Sequence, residues 1–190
     1  MDFAISLRSD LIELRPLQMD DVEPLSVLTK SEKLWTYFTS NLDEPLQLKR
    51  WVSEAVIARE KLDQIPFAVI ELGTNQLIGS TRFGSISERD QRVEIGWTWL
   101  GEEYHGKGYN KDMKLLMLQH CFESQGMERV EFKTDVLNMS ARKAFEKIGI
   151  KEEGVLRSHT LLANGRRRDS IFYSVLRSEW EKVKSDNGWS

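Results

Sequence analysis

The chain has 190 residues, 40% of them hydrophobic and 30% charged, with a formal charge of −3 and a pI near 5.7. That length and composition fit one domain with its own core and exclude a disordered chain. The mildly acidic balance argues against nucleic acid as a partner, and the single cysteine, Cys121, excludes a disulfide framework. The first ten residues hold no apolar run of signal-peptide length and no stretch approaches ~20 apolar residues, so neither export nor a membrane span is expected. The cytoplasm is the expected compartment.

Leu11 to Leu17 alternates and predicts a first strand. Asp20 or Asp21 can cap a helix from Val22 to about Lys30. Pro45, Leu48, Trp51, Val52, Ala55, Val56, Ala58 and Leu62 recur close to the helical period and predict a second helix. The segment between them, Ser31 to Asn41, carries three aromatics and reads either as rings packed on the core or as a wall for a substrate. Phe67–Leu72 and Leu77–Ser87 predict a hairpin around Gly73–Gln76. Ser87 to Gln91 is a polar turn into a central strand. There Val93, Ile95, Trp97 and Trp99 alternate with Glu94, Gly96, Thr98 and Leu100, which puts Glu94 on the face opposite the tryptophans.

A wide apolar stripe predicts a helix from Lys107 to about Ser124, buried against a sheet. Cys121 reads there as a packing residue. His120 and His159 lack the neighbours of a metal site, so no metal is expected. Gly126 stops the helix. Glu128–Val136 predicts a strand, and Asn138–Ile148 a short helix closed by Gly149. Lys151–Leu162 and Arg166–Leu176 predict two long strands joined at Asn164-Gly165, a strong hairpin signal. Arg166 to Arg168, beside that turn, reads as a solvated tip or as a site for an acidic group. Ser178 starts a last helical turn through Trp180, and the tail from Ser185 is expected to fray. No linker or repeat divides residues 1–190, so one domain is expected, its core at about 11–180. The pattern is α+β on a mixed sheet, because the strand–helix–strand from Glu94 to Val136 needs a crossover and favours a parallel pair.

His105 to Asn110, H-G-K-G-Y-N, joins the central strand to the helix. Glycines there let the backbone turn tightly and let a ligand approach its N–H groups. The helix after it has unpaired N–H groups at its start, which suits an anion, phosphate above all. A dinucleotide loop needs a third glycine, absent after Gly106 and Gly108, and no P-loop pattern is present. An ordinary strand-to-helix turn is the competing reading.

EIGWTWL followed by HGKGYN resembles the acyl-CoA loop of the GCN5-related N-acetyltransferase (GNAT) superfamily, [QR]-x-x-G-x-[GA]. NMSARKAFEKIGI, from Asn138, resembles the second signature of that family. With EEGVLRSH and RRRDSIFYSVLRSEW, the chain is similar to the branch of the ribosomal-protein N-terminal acetyltransferases RimJ and RimL, over roughly Leu11 to Trp180. It departs from the pattern at His105, where Gln or Arg is usual, at Asn110, where Gly or Ala is usual, and at Phe145, where many members carry a tyrosine acid.

The resemblance implies a GNAT-like mixed sheet, mostly antiparallel and twisted, flanked by helices, with splayed central parallel strands. It implies acetyl-CoA as co-substrate and an amine acceptor, of a protein N-terminus or of a small molecule. The pyrophosphate would lie on the loop at His105, Gly106, Lys107, Gly108, Tyr109 and Asn110. The pantetheine arm would pair with the backbone of Trp97, Thr98, Trp99 and Leu100, with Asn138 and Phe145 also on the cofactor side. Glu94 is the first candidate base, with Glu102 and Glu103 behind it. Ser140 is the first candidate acid, although its place in the signature is offset, and Tyr173 is the second. The structural alternatives are a paired strand carboxylate for Glu94, a helix cap for Ser140 and for Asn138, and a core phenol for Tyr173. A non-catalytic acyl-CoA sensor is the competing function. Nothing in the sequence specifies an oligomeric state.

Overall fold

A computed structural model describes residues 3–189. Eight strands form one sheet: β1 (Leu7–Arg8), β2 (Ile12–Pro16), β3 (Ile65–Glu71), β4 (Gln76–Ser87), β5 (Arg92–Leu100), β6 (Arg129–Asp135), β7 (Lys151–Leu161) and β8 (Arg167–Leu176). Their order is β1-β2-β3-β4-β5-β6-β8-β7. Each neighbouring pair is antiparallel except β5 and β6, which are parallel, as a crossover connection requires. The helices are α1 (Val22–Leu28), α2 (Pro45–Glu60), α3 (Tyr109–Gln119), α4 (Met139–Ile148) and α5 (Trp180–Asn187).

The two sheet faces are covered differently. One carries α3, α4 and α5 over a large apolar cluster that includes Phe83, Val93, Ile95, Phe132, Phe145 and Tyr173. The other carries α1, α2 and the 31–41 segment over a smaller cluster built on Trp35, Trp51, Ala68, Ile70 and Trp99. The three aromatics of Ser31–Asn41 therefore serve the core in part. Trp35 is buried edge-on against Phe38 and Trp99, and its indole N–H donates to the Thr29 carbonyl at 2.9 Å.

Local sequence explains most element ends. Pro45 opens α2, where its missing N–H is no loss. Asn138 caps α4 by accepting from the Ala141 N–H at 3.1 Å. Gly149 closes that helix at φ 96°, a left-handed conformation that favours glycine.

Four features depart from the sequence reading. The short β1 was not expected. The predicted helix to Ser124 changes at His120 into one π-helical turn, His120–Ser124. The tail expected to fray from Ser185 is instead helical to Asn187 and docked: Asn187 donates to the Ile148 carbonyl at 2.8 Å, and the Trp189 indole to Gln119 at 3.0 Å. The largest correction is in β5. Trp97 sits at φ 52°, and the β4 register skips there, with Arg82 opposite Gly96 but Ser80 opposite Trp99. One extra residue in one strand is a β-bulge, and it reverses the alternation beyond it. Val93 and Ile95 face α3, whereas Trp97 and Trp99 face the α1–α2 side. Glu94 therefore shares a face with the tryptophans rather than opposing them.

Candidate functional site

β5 ends at Leu100 and passes through a 3-10 turn, Glu102–Tyr104, into the glycine loop. Gly106 and Gly108 have φ of 74° and 94°, and a Cβ built on either would meet no atom within 4 Å. The loop is therefore open as well as sharply turned. Gly108 is the N-cap of α3, and no side chain caps the helix. The first amides of α3 therefore have no capping side chain and stand at the positive end of the helix dipole, an arrangement that fits an anion.

The loop's side chains behave differently from its backbone. The His105 ring turns back, with Nε2 3.0 Å from the Leu100 carbonyl. Tyr109 donates to Glu71 at 3.2 Å. The Asn110 side-chain amide oxygen, Oδ1, accepts from Lys114. Lys107 is exposed, its ammonium 5.5 Å from the Tyr104 ring. Glu102 and Glu103 are exposed in the preceding turn, Glu102 beside Lys33.

The parallel pairing of β5 with β6 lasts for three positions, Arg92↔Arg129, Val93↔Val130 and Glu94↔Glu131. Beyond Glu94 the strands part. Residues 95–100 keep only β4 as a strand neighbour, and residues 132–135 only β8. Trp97, Thr98, Trp99 and Leu100 thus line one side of a gap that starts beside Glu94.

Glu94 is buried, 5% exposed, and its Oε2 accepts twice, from the Lys133 ammonium at 2.8 Å and the Ser85 hydroxyl at 3.0 Å. A Cβ at Gly96 would come within 3.0 Å of Oε1, so the glycine makes room for the carboxylate. Gly84 does the same for Trp97, whose ring would lie 2.6 Å from a Cβ there. Lys133 escaped the sequence reading. Its signal was parity, because it alternates with Val130, Phe132 and Thr134 and so must face the other way.

The remaining candidates lie on the α4 side. Ser140 is exposed in the first turn of α4; the third residue after Asn138 is Ala141. Phe145 packs 5.3 Å from Phe132 and 5.1 Å from Tyr173. The Tyr173 phenol is fully buried and accepts from Arg142 Nε at 3.2 Å. Burial pushes its ionisation up, and the bond from Arg142 opposes that shift. Tyr173 and Phe145 are thus separated from Glu94 by the sheet.

Lys114 is a second group that the sequence reading missed. It falls within the apolar stripe of α3, is 4% exposed, and holds its ammonium 5.6 Å from the Phe145 ring. Burial pulls its pKa down to about 7. Burial also pushes the Cys121 thiol up, so the thiolate is not the ready form. Among the described residues, no group of three His, Cys, Asp or Glu is placed to hold a metal. No described helix is long and apolar enough to cross a membrane.

Residues 12–151 match the family model described as "Acetyltransferase (GNAT) domain". The ribosomal-protein-serine acetyltransferase of Escherichia coli strain K12 is 23% identical over 173 residues, covering 90% of this chain and 96% of that one. The N-acetyltransferase p20 of Bacillus licheniformis, named as uncharacterized, is 30% identical over 114 residues, covering 60% and 63% of the two chains. A crystal structure of a GCN5-related N-acetyltransferase from Brucella melitensis superposes with a TM-score of 0.89 at 24% identity, covering 98% of this chain and 85% of that one. At that identity the likeness is one of fold.

Proposed function

Because the chain belongs to the GNAT acetyltransferase family, on the RimJ/RimL-like branch that its signatures resemble, we propose that it moves an acetyl group from acetyl-CoA to a primary amine by direct attack. The observation that carries this reading is the parting of β5 from β6 just beyond Glu94, beside the uncapped start of α3. Backbone amides of Gly106 to Asn110 hold the pyrophosphate, with Lys107 free to add charge. The edge of Trp97 to Leu100 that faces away from β4, left without a strand partner beyond Glu94, holds the pantetheine arm as a further strand would. The bound thioester supplies an activated acyl carbon.

The chain's own residues then manage protons and charge. An amine attacks only when neutral, and free amines have pKa values of ~8 (α-amino) to ~10.4 (lysine-like). Glu94 takes the proton, directly or through a water, and Oε1 is the oxygen left free by Lys133 and Ser85. A backbone N–H of β5 steadies the developing oxyanion. The nitrogen–carbon bond forms, the carbon–sulfur bond breaks, and the thiolate leaves. With a thiol pKa of ~8.5, that thiolate can take its proton from water. This role therefore does not demand Ser140 or Tyr173, and Tyr173 lies across the sheet from Glu94. The Escherichia coli relative, named for action on a ribosomal protein, supports a protein N-terminal amine; a small-molecule amine is the other acceptor in view.

The test is thermal unfolding with acetyl-CoA, NADH and ATP. At ~100 times its dissociation constant a ligand stabilises by ~2.7 kcal/mol, and each kcal/mol moves the midpoint of a chain this size by roughly 2–4 °C. A shift with acetyl-CoA alone, followed by thiol release in the presence of amines, is the expected result. No shift at saturating acetyl-CoA would end the reading.

A further inference from the structure

Among the described residues, no helix closes the Glu94 face of the sheet over β6, β8 and β7. α3, α4 and α5 pack on the opposite face, and α1 and α2 cover the β3–β5 half. What closes this half in part is the 31–41 segment, which reaches the last hairpin. The Phe38 carbonyl accepts from Ala163 N–H at 3.4 Å, and the Tyr37 carbonyl from Arg168 at 3.5 Å. The Glu94 face of β6 and β8 is thus bordered by that segment, beside the place where β5 and β6 part.

Its charges do not balance. Three carboxylates of β5 and β6 lie on this face, and each already has a cation: Lys133 pairs with Glu94, Arg129 and Arg92 with Glu131, and Arg166 with the fully buried Asp135. Two guanidinium groups remain. Arg168 is 8% exposed, and its Nε donates to Ser170 at 2.9 Å. It enters no ion pair among the described residues, although it lies within electrostatic reach of Glu94, Asp135 and Arg166. Arg82 is also buried. It stacks 3.9 Å from Trp51, reaches toward Trp97, and its Nε has no partner among the described residues. Burying a guanidinium without a carboxylate costs free energy. A ligand anion would relieve that cost, and the forked guanidinium matches a carboxylate.

We propose that the acceptor amine carries a carboxylate, held by Arg168 on the Glu94 face while the amine meets Glu94 at the mouth of the gap. This rests on the acetyl-transfer reading and narrows its substrate class. Polyamines and other wholly cationic amines are excluded as preferred acceptors. The carboxylate can belong to a free amino acid or to an acidic residue near a peptide N-terminus.

The test pairs acceptors that differ in one carboxylate: alanine against alaninamide, and the C-terminally amidated tripeptide Ser-Glu-Ala against amidated Ser-Gln-Ala, with spermidine as the cationic control. Thiol release from acetyl-CoA is read with the native protein and with R168Q and R168K. A charge-assisted contact predicts ~10-fold or greater preference in kcat/KM for the carboxylate-bearing member of one pair. Which pair shows it identifies the source of the carboxylate. In R168Q that preference should vanish through a rise in KM, with the other member unchanged; R168K should keep part of it. Acetyl-CoA-dependent thermal shifts, measured first, separate the two ideas. If acetyl-CoA fails to bind, the acetyl-transfer reading falls and takes this inference with it. If it binds and the native protein shows no preference for the carboxylate, or favours spermidine, only the carboxylate inference is overturned. Equal loss by R168Q toward both members of a pair would also overturn it. The native selectivity decides the matter even if R168Q does not fold.

Discussion

Lys114 is the residue least suited to its surroundings, and its cost can be measured. Its ammonium has Asn110 and the Phe145 ring for company, yet burial still pulls its pKa down to about 7. An unfolded lysine keeps its proton to ~10.4. Between those values the unfolded chain binds more protons than the folded one, so this residue makes the fold more stable as pH rises. Its penalty is complete below pH 7 and fades toward pH 10. Lys114→Met should therefore raise Tm, and by more at pH 6 than at pH 9.5. Unfolding curves of both proteins at the two pH values check this; an equal gain at both would show that the lysine is charged throughout. Glu94 poses a different question, because removing its charge leaves Lys133 unpaired beside the gap. Glu94→Gln should lower kcat by ~10²- to 10⁴-fold, the usual worth of a positioned base, and leave the acetyl-CoA thermal shift intact. A sensor domain would show the intact shift with no turnover to lose.

The bulge in β5 shows which parts of an element a sequence discloses. Strand and helix positions were legible because they depend on periodicity and on Pro45, Gly149 and Asn164-Gly165, which act locally. The face of Trp97 was not legible, because this bulge holds a tryptophan at positive φ, a conformation no tryptophan advertises. The clue was indirect, in the glycines around it. Gly84 is empty so that the Trp97 ring can lie across it, and Gly96 so that Glu94 can fold back. Of the candidate site, the loop glycines were foreseeable from spacing and the parallel strand pair from crossover geometry, whereas the parting of those strands was an expectation that only the family resemblance supplied. Lys133, Arg168 and Lys114 were missed because their meaning depends on which chain segments meet. The bulge carries its own prediction. Gly84→Ala places a methyl 2.6 Å from an aromatic ring that Arg82 and Lys133 flank. Overpacking of this kind costs ~1–3 kcal/mol. Gly96→Ala meets only the movable end of a carboxylate, at 3.0 Å, and should cost less. Thermal denaturation of the two variants gives the order; the reverse order would mean that the Trp97 ring moves aside freely.

At the scale of the whole molecule, one helix joins stability to the candidate site. α3 begins at the glycine loop and ends, through its π-helical turn, under α5. The ring of Trp180 on α5 is buried 5.7 Å from Phe122, and its indole N–H donates to Glu123 at 2.7 Å. Val183 is buried nearby, and Asn187 ties the same helix to the end of α4. Trp180→Ala should cost ~3–5 kcal/mol, the range for losing a buried aromatic. That corresponds to a fall in Tm of roughly 6–20 °C at 2–4 °C per kcal/mol. The loop lies some fifteen residues up the helix from this contact, about 22 Å at 1.5 Å per residue. A cavity at one end of a packed helix loosens its own neighbours first, and effects at that separation are usually additive. The acetyl-CoA-induced gain in stability should therefore be as large in Trp180→Ala as in the native chain, on a lower baseline. Thermal unfolding of both proteins across a series of acetyl-CoA concentrations measures baseline and gain together. A lower baseline with an undiminished gain assigns α5 to holding the fold; a gain that shrinks with the baseline would mean that α5 sets the shape of the loop through α3.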